Sequence, residues 1–397
     1  MRTTRHVLMA VLALLLTASG TALSGIAGAA TPRAASPSWA QDGYGPGNTG
    51  YNPDEPDLNA GTVGSLRYRW SLTAYGDGET DEYCRPDMLG PIIAGGRAFV
   101  SDGDGYGAFD ADTGEHLWGY GYEQPYDEVV LQIGVVGGLA VFAIAPCPGQ
   151  GDLTKLLAYD TATGEEVWNS PVGVRSTSMV IDKGTVVVAG YDGRGVPQVE
   201  AVRARDGSYL WGRADYLLSA GASATGRVLL TRAKGKGALA VAVASGAELW
   251  KTGKAWTAQA ANPAGDRFYV TDPAGTLLAV KASTGATTWA VAKAGGKLSA
   301  DGRRVYVARA RSLSAYDAAR GRKVWRKAQA STAGRPIRAG GLLYCVIAAS
   351  KPMAVLNAAN GVKVVSGAAY RTAVGHPVVA GGKLYINYGG KIVAYGL

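Results

Sequence analysis

Histidine, cysteine and phenylalanine are scarce in this chain, whose 397 residues hold three, three and four of them. His6 falls in the N-terminal leader described below, leaving His116 and His376, and no Cys/His set has the spacing of a metal site. His116 stands inside a turn-strand phrase and reads as an exposed strand residue, not a base. The cysteines, at 84, 147 and 345, include no adjacent pair. No serine-nucleophile elbow and no phosphate loop is present. The stretch "DGDGYG" at 102 to 107 offers oxygen ligands but lacks the remaining spacing of a helix-loop-helix calcium site, and it reads as a polar glycine turn. Long amphipathic helical patterns are missing outside the N-terminus.

The N-terminus is a segment of its own. Arg2, Arg5 and His6 precede an apolar run over residues 7–16, and small residues follow through "SGIAGAA". These are the three regions of a secretory signal peptide, residues 1–30, with cleavage after Ala29 or Ala30. An uncleaved anchor is the alternative, but the run is short for a span of about 20 residues. No cysteine lies near the cleavage site, which speaks against a lipoprotein, and no twin-arginine pair is present, which favours the general (Sec-type) export route. A secreted or extracellular, soluble, monomeric protein with no membrane span after cleavage is expected.

What the chain has in abundance is glycine, at 57 residues, and a phrase that recurs. "FDADTGEHLW" at 109, "AYDTATGEEVW" at 158, "AVKASTGATTW" at 279, "AYDAARGRKVW" at 315 and a worn "AVLNAANGVKVV" at 354 each put a turn between two strands. The aromatic position falls at Trp70, Trp118, Trp168, Trp211, Trp250, Trp289 and Trp325, then at Val365, with separations of 36 to 50 residues. A residue repeated in every unit serves what the units share, so these tryptophans are read as packing groups, with ligand stacking as the alternative. A second phrase, "PIIAGGRAFV" at 91, "PIRAGGLLYCV" at 336 and "PVVAGGKLYI" at 377, reads as two short strands about a glycine turn. The spacing matches one four-stranded blade per repeat. Three strands follow Val365 without a fourth, while "SLRYRWSL" around Trp70 is a fourth strand without the preceding three. Joining them predicts an all-β, eight-bladed β-propeller over residues 65–397, closed by the N-terminal strand completing the C-terminal blade, after a lead-in at 31–64.

The unit A-x-D-x-x-T-G-x-x-x-W, preceded by paired strands about A-G-G, resembles the pyrroloquinoline quinone (PQQ)-like repeat, and the lead-in "SWAQDGYGPGNTGYNPDEPDLNAGTVGSLRYRW" looks like the opening segment of that family. The resemblance covers about residues 39–397. It implies the eight-bladed propeller of the quinoprotein dehydrogenases and of the outer-membrane assembly lipoprotein. The dehydrogenases hold PQQ in the central channel between an aromatic plane and a ring of adjacent cysteines, beside calcium and a catalytic Asp. None of those cofactor or calcium positions aligns onto a particular residue here. No catalytic or metal-ligating residue is therefore assigned, and PQQ with calcium stays an alternative, as does a PQQ-dependent sugar or alcohol dehydrogenase.

Loops and charge carry the remaining signal. The connections at 73–90, 120–130 and 145–155 are long, and in this architecture they share one face. The first two are rich in acidic and tyrosine residues, and Tyr83, Asp87, Tyr122 and Tyr126 make the candidate binding face. Cys84 and Cys147 sit in two of these loops and are expected to form a disulfide, with Cys345 buried in an apolar strand. Residues 71–131 hold 13 acids against 2 bases, and residues 201–351 hold 25 bases against 7 acids. Such a dipole on a secreted protein suits an envelope protein or an anionic cell-surface polymer, and no nucleic acid. The expected function is a non-catalytic binding or scaffolding module at the envelope or outside the cell. A dehydrogenase and an envelope assembly factor are the alternatives.

Overall fold

The computed structural model describes residues 38–73, 88–101, 105–121, 128–147, 153–234, 236–328, 332, 334–347, 353–366 and 373–397. Residues 1–30, where a signal peptide is expected, lie outside them. Within the described residues, period-two runs such as "RVYVAR" and "TVVVAGY" form eight blades of four antiparallel strands, and the sheet of blade 7 gains a fifth, parallel strand at Tyr51–Asn52. Blades 1 to 7 occupy residues 92–121, 128–172, 175–214, 216–252, 257–291, 297–328 and 337–366. Blade 8 takes three strands from residues 378–396 and its fourth from Arg67–Thr73, which pairs antiparallel with Lys391–Gly396 from Arg67↔Gly396 to Thr73↔Lys391. Closure by the N-terminal strand is therefore as the repeat count requires, and it pairs an edge that would otherwise stay open.

The recurrent phrase has a local cause and a neighbouring one. Locally, Asp160 accepts from the amides of Ala162 and Thr163 at 2.8 and 2.9 Å, and these bonds hold its carboxyl below the usual carboxylate range. Gly164 then turns the chain at φ +77°. The returning fourth strand is bulged just before Trp168, as it is before the equivalent residue of every other blade. The bulge aims the indole at the next blade.

There the neighbouring cause appears. Each indole Nε1 donates to a backbone carbonyl beside the turn of the following blade: Trp168 to Ala204 at 2.9 Å, Trp211 to Val243 at 2.8 Å, Trp289 to Ala318 at 3.0 Å, and likewise for Trp70, Trp118, Trp250 and Trp325. Each ring also lies on the turn glycine of that blade, where a Cβ would come within 2.6 to 2.9 Å of it. The tryptophans are thus packing groups; Trp250 and Trp325 are half-buried and the other five are buried. Val365 departs from the pattern for a topological reason. The third and fourth strands of blade 8 come from opposite ends of the sequence, so no turn joins them and no turn carbonyl awaits an indole there. That joint is filled by Leu58, Val63 and Leu66, all buried, around a short 3-10 turn at Val63–Ser65.

Two substitutions at one joint test this account. Trp289→Ala should lower stability by roughly 3–5 kcal/mol, the usual loss for a buried aromatic. Gly321 has φ +70° and its Cβ would stand 2.8 Å from the Trp289 ring. Gly321→Ala should therefore cost about 1–2 kcal/mol for the left-handed backbone and about 1–3 kcal/mol for the overlap. In the Trp289→Ala background only the backbone part should remain, so chemical denaturation of the double variant should show clear non-additivity.

Candidate functional site

The first strand of each blade is innermost, and residues 39–52 run around the ring along the ends of those strands. Trp39 exchanges backbone hydrogen bonds with Ile93 of blade 1, at 2.6 and 3.1 Å. The carbonyl of Ala40 accepts from Val135 of blade 2. The Gln41 amide makes a two-bond bridge to the backbone of Ile181 in blade 3, both at 2.9 Å. Pro46, Gly47, Thr49 and Gly50 then accept from Ser223, Ala261, Ala300 and Arg338 of blades 4 to 7 at 2.7–2.8 Å. Asn52 Nδ2 donates to Val379 of blade 8 at 2.8 Å. The glycines and Asn48, at φ +49°, let so short a segment keep turning. One end of the channel thereby acquires a floor.

Above that floor lies a cavity of about 560 Å³. Its walls come from the beginnings of the first strands and the connections leading into them, including Ile92, Gln132, Ser178 and Val378. It therefore opens toward the face that carries the long connections. On the floor stands Asp42, whose Oδ1 is 2.9 Å from His376 Nε2. Arg335 Nη1 donates to the Asn48 carbonyl at 2.8 Å and also to the Asn48 side chain. The Asp42 side chain is 67 % accessible, and the space it faces is the cavity itself, enclosed by the ring. Enclosure by itself would raise its pKa; the charge and hydrogen bond of His376 and the charge of Arg335 outweigh this and hold the carboxyl well below the usual range. A carboxylate so acidic is a poor general base, since efficient proton transfer needs a pKa near the working pH. The arrangement can hold a polar or anionic group between Arg335 and His376.

These residues were not singled out by sequence reasoning, though a signal existed. "GRPIRAGG" at 334 and "GHPVVAGG" at 375 are the same phrase in blades 7 and 8, with Arg335 and His376 at the same position before the proline. A repeat places such positions at equal depth around the axis. Of the residues expected to matter, Tyr83, Asp87, Tyr122 and Tyr126 lie outside the described residues, as does Cys84. Cys147 is buried and is not a free thiol. Cys345 is free and buried on its apolar strand, and burial pushes its thiol up to about 12, so it is inert. His116 is exposed, as expected, and meets Phe109 edge-on at 5.2 Å.

The ion pair has a testable pH signature. Because folding depresses the Asp42 pKa below its ordinary 3.8, its contribution to stability is complete above that value and is lost as the pH falls toward the lower folded one. Asp42→Asn should therefore be less stable than the parent at pH 5. Denaturation curves of the two proteins should converge as the pH is lowered from about 4 to 2.

Comparison with known proteins agrees with this architecture. The sequence profile of the family described as outer membrane protein assembly factor BamB matches residues 107–239 and 234–386. No curated protein matches the chain in sequence. By structure the chain is similar to the quinohemoprotein alcohol dehydrogenase from Comamonas testosteroni, with TM-score 0.66 and 14% identity over 90% of this chain and 80% of that one. It is similar to a europium-containing methanol dehydrogenase, with TM-score 0.66 and 13% identity over 91% and 98% of the two chains. It is also similar to BamB from Moraxella catarrhalis, with TM-score 0.56 and 19% identity over 84% and 98%. Identities this low speak for the fold alone. With eight blades, a G-x-x-x-W turn unit that recurs six times and a profile match over most of its length, the chain belongs to the PQQ-like repeat β-propeller family.

Proposed function

We propose that this protein is a secreted, non-catalytic binding or scaffolding module that works at the cell envelope or outside the cell. The observation that carries the reading is the make-up of the channel cup. Its described lining has one carboxylate, Asp42, already engaged by His376, and no thiol. Calcium takes six to eight oxygen ligands, usually with several carboxylates among them. The described residues contain no group of three His, Cys, Asp or Glu that could hold a metal. The chain also lacks the adjacent cysteines implied for the quinone site. The donors among the described residues therefore do not fit PQQ with calcium, and no redox step is derived through them.

Two other readings keep specific support. Similarity to quinohemoprotein alcohol dehydrogenase and methanol dehydrogenase favours a PQQ-dependent sugar or alcohol dehydrogenase. The BamB profile and the BamB structure favour an envelope assembly factor with a protein partner, although the leader holds no cysteine for a lipid anchor. Difference absorption spectroscopy of the purified protein titrated with PQQ and Ca²⁺ separates the first from our reading. We expect no saturable spectral change and no dye-coupled turnover of sugars or alcohols. Stoichiometric binding with turnover would establish the enzyme instead, and pull-down from envelope fractions then addresses the assembly reading.

The binding face belongs to the same proposal. A Cys84–Cys147 disulfide would close a loop of 63 residues and, on the chain-entropy model, add about 4 kcal/mol less any strain. It would stiffen the loops carrying Tyr83, Asp87, Tyr122 and Tyr126, lowering the ordering cost of binding. Peptide mapping without reduction should recover the linked peptides. Free thiols at 84 and 147, or a bridge to Cys345, would remove the disulfide and the loop clustering built on it.

A further inference from the structure

Exposed cations without an ion pair occur at several places on the ring, Arg232, Lys236 and Lys281 among them, and they are densest on blade 6, whereas a few others are paired. Lys155 meets Glu128, Arg194 meets Asp192, Arg205 meets Asp206 and Lys251 meets Glu248. On blade 6, Arg311, Arg320, Arg322, Lys323, Arg326 and Lys327 are all exposed, and none of them forms an ion pair with another described residue. The two acids of that blade are occupied elsewhere. Asp301 accepts from the amides of Arg303 and Arg304, from the Tyr306 hydroxyl at 2.9 Å and from Arg338 Nε at 3.1 Å. Asp317 Oδ1 accepts from the amides of Ala319 and Arg320.

The six cations lie along one blade edge and the turns at its ends, Lys327 on the Trp325 side of the strand and Arg326 on the other. The strand Lys323–Ala328 is the outermost of its blade, and Arg320 and Arg322 belong to the turn that feeds it. Ser312 lies opposite Ala328, so Arg311 stands at the far end of the same edge. Residues 322–328, at about 3.3 Å per step, make an edge of roughly 20 Å from one face of the ring to the other. A strip is shaped for a linear polymer, whereas a pocket is shaped for a small molecule. Guanidinium forks match phosphate oxygens two at a time, and arginine supplies four of the six charges. Bases would need aromatic faces to stack on. The strip has none to offer: Val324 is its exposed apolar residue, and the Trp325 ring is packed on Gly361 of the next blade.

We propose that the outer edge of blade 6 is a docking strip for a linear, base-free phosphodiester polymer of the polyol-phosphate type. The strip lies on the rim, whereas the cup lies on the axis, so either can fail without the other. The test is binding of the full mature chain to poly(glycerol phosphate), polygalacturonate and a single-stranded oligodeoxynucleotide at several salt concentrations. Poly(glycerol phosphate) should bind most tightly, with affinity falling steeply as salt rises. A variant carrying Arg311→Ser, Arg322→Ser, Lys323→Ser and Arg326→Ser should bind roughly tenfold more weakly or worse. Serine at the paired Lys155, Arg194, Arg205 and Lys251 removes as many cations and should change affinity far less. Thermal melting of both variants checks that the ring is intact. The proposal is overturned by absence of binding, by equal or tighter binding of polygalacturonate or the oligonucleotide, or by equal losses in the two variants.

Discussion

The ring depends on one joint, made seven times: an indole N–H from one blade donating to a carbonyl beside the turn of the next, with a glycine under the ring. A buried indole needs a partner for its N–H, and the turn supplies it at a fixed place. In blades 1, 2 and 6 an aspartate that shapes the turn also fixes that place, since its carboxylate gathers the turn amides. Any side chain in place of the glycine would collide with the indole that closes the joint. Residues that look like one local motif are therefore held in common by two blades, which is why they recur together.

The eighth joint shows what the other seven depend on. Blade 8 is assembled from strands distant in sequence, so it has no turn to offer, and Val365 replaces the indole. The lead-in takes over there. Glu55 is buried and accepts from the amides of Asp57, Leu58 and Gly382, tying the end of the lead-in to blade 8. Further back, the Arg338 guanidinium lies 5.3 Å from the Tyr51 ring and reaches Asp301 with its Nε. The same segment that secures closure also floors the channel, so the ring's stability and the cup's existence share one cause.

The candidate cup and the cationic edge of blade 6 lie at positions that the joints leave variable. Arg335 and His376 occupy the position before the proline that opens a first strand, and that position faces the cavity. The cations of blade 6 occupy the free edge of a fourth strand and the turns at its ends, positions facing solvent. Arg335 and His376 touch no indole or turn glycine of the joints, and of the cations of blade 6 it is Lys327 that lies beside Trp325 over Gly361. Rigid joints thus leave the axis and the rim free to differ from blade to blade.

The class of fold and the count of blades were legible in the sequence, because each rests on spacing within about 50 residues and on an alternation that the backbone imposes, and closure followed from the three strands left over at one end of the chain and the one at the other. So was the packing role of the tryptophans, since a repeated residue answers a repeated need. The buried, inert Cys345 followed from its apolar strand. The reason for the turn glycine was not legible: its conformational freedom is local, but the ring above it belongs to another blade. The cup was not legible either, because Asp42, Arg335 and His376 are separated by up to 334 residues and meet only when the lead-in is drawn around the axis. Sequence by itself determined what each repeat is; the closing of the ring decided which residues face one another, because contacts across its axis have no counterpart in the order of the chain.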